Sequence, residues 1–111
     1  MNLLLFVLAA ALAPEAPPPP AGRPIASVVS NEDYPKEAID NGWEGDVVAD
    51  LVINTQGRVR SCRIHQSSGY PVLDRKTCDI FLLRARFRPA KDANGNSVED
   101  NFRTPAVKWR I

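Results

Sequence analysis

Residues Ser61 to Cys78 read SCRIHQSSGYPVLDRKTC and contain the residue types from which a small thiol or hydrolytic site is built. Cys62, Cys78, the single histidine His65, the pair Ser67 and Ser68, and Asp74 all fall inside it. Chemistry would need a nucleophile and a base within hydrogen-bonding reach. Cys62 and His65 are three apart on what reads as a strand, so their side chains point to opposite faces. Ser67 and Ser68 precede a glycine and a proline-initiated helix, where hydroxyls commonly satisfy free backbone donors. Two cysteines and a histidine that faces away cannot complete a tetrahedral metal site. The G-x-S-x-G, H-E-x-x-H, Walker and C-x-x-C patterns are absent. The expectation is therefore no catalytic residue, no metal, no cofactor and no enzyme.

The elements around this stretch follow from periodicity. Pro35 to Asn41 reads as a short helix, with Pro35 at its first position, Asp33 as its cap and Gly42 as its left-handed stop. Val47, Ala49, Leu51 and Ile53 alternate with Asp46, Val48, Asp50 and Val52, the period of a strand with one buried face. Asn54 to Gly57 supplies a turn, and a second strand carries Val59, Cys62 and Ile64 inward. The step from Val59 to Cys62 breaks alternation, which predicts a bulge near Arg60–Ser61. Pro71 opens a longer helix over the stretch Tyr70 to Phe87. Its buried stripe is Leu73, Thr77, Phe81 and Ala85, with Cys78 and Leu82 beside it. A turn around Asn94–Gly95 follows. In the closing strand Val107, Trp109 and Ile111 alternate with Lys108 and Arg110, and Pro105 limits it on its N-terminal side. The predicted fold is an α+β two-layer sandwich of two helices and a three-stranded antiparallel sheet, in the order α-β-β-α-β.

Ahead of this domain the composition changes. Of ten prolines in the 111 residues, six lie at or before Pro24, and the run Pro17–Pro20 lacks N–H donors and reads as extended and solvated. The apolar run Leu3–Ala13 would cover about 16 Å as a helix, roughly half a bilayer's hydrocarbon core. It reads as a signal peptide or short membrane anchor (1–13), followed by a proline-rich linker (14–31) and a folded domain (32–111). Fourteen basic against thirteen acidic side chains argue against a general nucleic-acid binder. Export to an oxidising compartment favours pairing of the two cysteines. Cys62 on the inner face of the second strand and Cys78 on the covering helix suit a disulfide of roughly 3 kcal/mol. Two buried free thiols are the alternative.

The stretches YPKEAIDNGWEGDVVADLVINTQGRV, SSGYPVLDRKTC, RARFRPAKDANGNSV and VKWRI, taken together and in order, resemble the C-terminal domain of TonB-type energy transducers. The resemblance spans Tyr34 to Ile111, and the cysteine pair is similar to that of one branch of the family. It implies a periplasmic protein-binding module whose partner is an extended periplasmic segment of an outer-membrane TonB-dependent receptor. That segment would add to the edge strand Ala106, Val107, Lys108, Trp109 and Arg110, in energy-coupled transport. It also implies ExbB/ExbD-type motor proteins at the inner membrane. Against these, the apolar run is short and carries no histidine, and the linker reaches about 56 Å at most. Asn31, Glu32 and Asp33 stand where many relatives carry a Gln-Pro pair. A stand-alone accessory module without force transduction is the second reading, and the same bare edge could pair two copies into a homodimer.

Overall fold

The computed structural model describes residues 29–111. The expected signal peptide or anchor and residues 14–28 of the proline-rich stretch lie outside the described residues. A 3-10 turn, Asn31–Asp33, leads into α1, Lys36–Asn41. The strands are β1, Gly45–Ile53, and β2, Val59–Gln66. Helix α2, Pro71–Arg84, is followed by β3, Ala90–Lys91, β4, Ser97–Val98, β5, Asp100–Arg103, and β6, Val107–Trp109. The result is the expected α+β fold, an antiparallel sheet with helices over one face.

β1 is the centre of the sheet. One of its sides pairs β2 along most of its length; the other pairs β6 at Gly45–Val47 and β5 at Asp50–Ile53. Among the described residues the main sheet thus has four strands instead of three, because its last edge is divided. Thr104 joins the two pieces. Its N–H donates to the Ala49 carbonyl at 2.9 Å, and its hydroxyl accepts the Ala49 N–H at 3.1 Å. Pro105 follows at the break, a place on an edge where a residue without an N–H is tolerated. β3 and β4 form a separate two-stranded hairpin across the Asp92–Asn96 turn.

The inner face of β1 is the predicted one: Val47, Ala49, Leu51 and Ile53 are buried, and Asp46, Val48, Asp50 and Val52 are half-buried on the other side. In the pairing with β2, Arg60 is skipped between Val59 and Ser61, the bulge the sequence predicts. His65 is skipped as well, between Ile64 and Gln66, a second bulge that periodicity does not announce. Asn54 closes the hairpin by accepting the N–H groups of Gln56 and Arg58 at 2.9 and 3.0 Å. Gly57 takes φ +81 there, and a Cβ on it would lie 2.0 Å from the Phe87 carbonyl oxygen.

Three local expectations need correction. α2 stops at Arg84 and does not run on to Phe87. Ala85 is extended, Arg86 bridges Arg58, and the Phe87 N–H donates to Gly57 at 2.8 Å. On α2 the core residues are Leu73, Thr77, Ile80 and Phe81, whereas Leu82 is 38% exposed. One further residue turns a helix by about 100°, so Leu82 leaves the face that Phe81 holds. Asp33 does not cap α1; Pro35 precedes the helix without a side-chain cap, and Asp33 is used elsewhere.

Candidate functional site

The stretch that suggested chemistry is committed to structure. Cys62 and Cys78 form a disulfide with Cα atoms 5.6 Å apart, fastening β2 to α2. His65 is exposed at its bulge. Asp74 accepts from the hydroxyls of both Ser67 and Ser68 and from the Ser68 N–H, at 2.9 Å. The same hydroxyls accept the N–H groups of Gly69 and Tyr70, at 2.9 and 3.1 Å. This network closes the strand-to-helix turn, and Asp74 in the first turn of α2 also meets the positive end of the helix.

The open feature is the rim of the sheet at β6. Among the described residues only β1 pairs with β6. Trp109 is 2% exposed and Val107 is also buried, while Ala106, Lys108 and Arg110 are exposed. The indole N–H of Trp109 donates to the Thr77 hydroxyl at 2.8 Å, and Thr77 in turn donates to the Leu73 carbonyl. The Trp109 side chain is therefore held in the core by α2, and its backbone is what it offers at the rim.

Backbone direction can be assigned along this edge. Ala49 bonds toward the β5–β6 side through its carbonyl. Since direction alternates along a strand, Val47 and Gly45 face that side too. Their partners Val107 and Trp109 face back, and Lys108, opposite Asp46, turns its N–H and C=O away from β1. Ala106 and Arg110 fall in the same phase as Lys108. The other rim of the sheet is a poorer template for pairing: β2 is broken by two bulges and exposes Arg60 and Arg63.

A groove of about 500 Å³ runs along β6. Pro105 to Arg110 form one wall, and Val29, Ser30, Asn31 and Tyr34 form the other. The walls meet where the ring of Tyr34 stands edge-on to Trp109, centroids 5.2 Å apart at 85°. The Tyr34 hydroxyl donates to the Trp43 carbonyl, and burial, with the nearby Glu44 carboxylate, pushes its phenol above the usual value. Arg110 reaches across the outer face to Asp46 at 2.7 Å, and the Ile111 N–H donates to Glu44 at 2.8 Å.

The second wall is what sequence reasoning misses. Val29 to Asn31 read as the end of a linker, yet Val29 packs against the core and the 3-10 turn is held by Asp33. Asp33 accepts two bonds from Arg84 at 2.8 and 2.7 Å, and the Ser30 N–H at 2.8 Å. These bonds hold its carboxyl at a pKa of about 2 despite its burial. The Ser30-x-x-Asp33 spacing is a helix-start signature that could have revealed the turn. Arg84, 51 residues away, could not have been named as its partner.

Among the described residues no helix is long and apolar enough to cross a membrane, and no group of three His, Cys, Asp or Glu side chains could hold a metal. No curated protein matches the chain individually. Residues 30–111 match the family described as Gram-negative bacterial TonB protein C-terminal. That span takes in every residue of the groove but Val29, together with the disulfide and the divided edge, and the chain belongs to the TonB C-terminal domain family.

Proposed function

We propose that this domain binds an extended periplasmic segment of an outer-membrane TonB-dependent receptor by adding it as a strand to β6, in energy-coupled transport across the outer membrane. One observation carries the reading: Lys108 turns its backbone N–H and C=O away from β1, over a groove of about 500 Å³. An incoming strand would satisfy those groups, and alternate side chains would enter the groove between Val107 and Tyr34. Ala106, Lys108 and Arg110 contribute outward backbone groups; Val107 and Trp109 hold the strand in place from the core side. Membership in the TonB C-terminal family supports a periplasmic setting and a protein partner over a chemical reaction. The apolar run Leu3–Ala13 and the proline-rich residues after it fit a domain exported to the periplasm or tethered at the inner membrane.

The test is calorimetric titration of the full chain with synthetic peptides copied from the periplasmic segments of outer-membrane receptors of the same genome. Specific binding to at least one peptide is expected, and Lys108→Pro, which removes an outward N–H, should abolish it. Binding that survives Lys108→Pro would rule out addition at this edge. Sedimentation of the unliganded chain shows whether a second copy occupies the edge instead.

A further inference from the structure

The groove has one wall made by the sheet and one made by a short segment with little secondary structure of its own. Val29, Ser30, Asn31 and Tyr34 line it, and among them runs a single 3-10 turn. Its internal backbone bonds are Asp33 N–H to Ser30 and Tyr34 N–H to Asn31, at 3.0 and 3.3 Å. Two such bonds do not hold a turn of this length in one place. The segment is instead held by outside contacts at two adjacent residues: the Tyr34 ring rests on Trp109, and Arg84 grips Asp33 through two parallel bonds. Such a fork fixes direction as well as distance.

We infer that the Asp33–Arg84 pair is a positioning latch for the docking groove. Neither residue lines the groove. They act through Ser30, whose N–H and hydroxyl both donate to the Asp33 carboxylate, at 2.8 and 3.2 Å. Arg84 stands in the last turn of α2, and α2 also holds Trp109 through Thr77. One helix therefore positions both walls: Thr77 fixes the strand side and Arg84 the turn side. A groove whose walls share one rigid support is pre-organised, and a bound segment need not order the second wall. Without the latch, that ordering cost falls on binding. The inference rests on the receptor-segment reading above and is tested so that the two fail differently.

The full chain, Asp33→Asn, Arg84→Gln, the double variant and Arg84→Lys are compared at a temperature where all are folded. Two measurements are made: affinity for a receptor-segment peptide that the unmodified chain binds, and hydrogen exchange of the Ser30–Tyr34 amides without peptide. Each single variant should weaken affinity about five- to tenfold, the double variant no more than either, and Arg84→Lys should recover part of the loss. Exchange at Asp33 and Tyr34 should quicken in the same variants, but not in Lys108→Pro. Unchanged affinity in the variants overturns the latch while leaving the receptor reading intact, and so does unchanged exchange. A chain that binds no peptide sinks the receptor reading, and exchange at the turn then decides whether Arg84 orders that wall.

Discussion

The Trp109 indole N–H and the Thr77 hydroxyl, 2.8 Å apart, join the edge strand to the centre of α2. Both residues are buried, Thr77 completely. The contact explains how a three-residue strand next to a proline stays in register. It also sets what can vary at this edge: the indole is fixed, and the backbone is what faces outward.

Thr77→Val should therefore destabilise the domain by about 1–2 kcal/mol, because it keeps the volume and leaves a buried indole donor unpaired. Trp109→Ala should cost about 3–5 kcal/mol, since it also opens a cavity under Tyr34. Urea unfolding followed by far-UV circular dichroism separates the two.

Proline scanning of the edge should divide it by backbone direction. Lys108→Pro removes a donor that makes no bond to β1 and should change stability by less than about 1 kcal/mol. Val107→Pro removes a donor facing β1 and should cost about 3 kcal/mol or more. Equal losses in thermal unfolding would overturn the assignment of direction.

Reduction of Cys62–Cys78, or its replacement by two serines, should lower stability by about 3 kcal/mol. For a domain of this size that lowers Tm by about 12–24 °C. The disulfide spans a sequence separation of 16 and ties β2 to α2, so loss of the clamp should quicken hydrogen exchange in β2 before β1.

Gly57→Ala should be more damaging than its exposed neighbours suggest. The position combines φ +81 with a Cβ site 2.0 Å from the Phe87 carbonyl. A loss of about 2–4 kcal/mol is expected, while Gly95→Ala, with open space around it, should cost only its backbone strain, about 1 kcal/mol.

The Asp33 carboxyl adds an acid-side signature. Its pKa is about 2 in the folded chain against an ordinary value of 3.8. The folded state thus holds the charged form more tightly than the unfolded one, and this stability is fully present above the ordinary value. It is lost as pH falls from 3.8 toward about 2. Chemical denaturation of the unmodified chain and of Asp33→Asn should differ at neutral pH by about 1–2 kcal/mol and converge across that window.

Much of this fold was legible residue by residue. The alternation of Val47, Ala49, Leu51 and Ile53 names a half-buried strand because successive side chains on a strand must take opposite faces. Pro71 marks a helix start because its missing N–H is one that a first turn leaves unpaired anyway. The broken step from Val59 to Cys62 announces the bulge at Arg60, and His65 turns away from Cys62 for the same steric reason that makes strands alternate. Each of these depends on neighbours within a few positions. The groove does not. Its second wall comes from Val29 to Tyr34, held by an arginine 51 positions away, and its first from a strand anchored on Thr77 in another element. The division of the far edge into β5 and β6 arises where Thr104 meets Ala49, a contact between residues 55 apart. Local patterning sets which face of an element is apolar, because backbone geometry imposes the period. Which distant side chains then meet depends on how those faces pack, and here α2 builds the site by holding both the Val29–Tyr34 segment and β6.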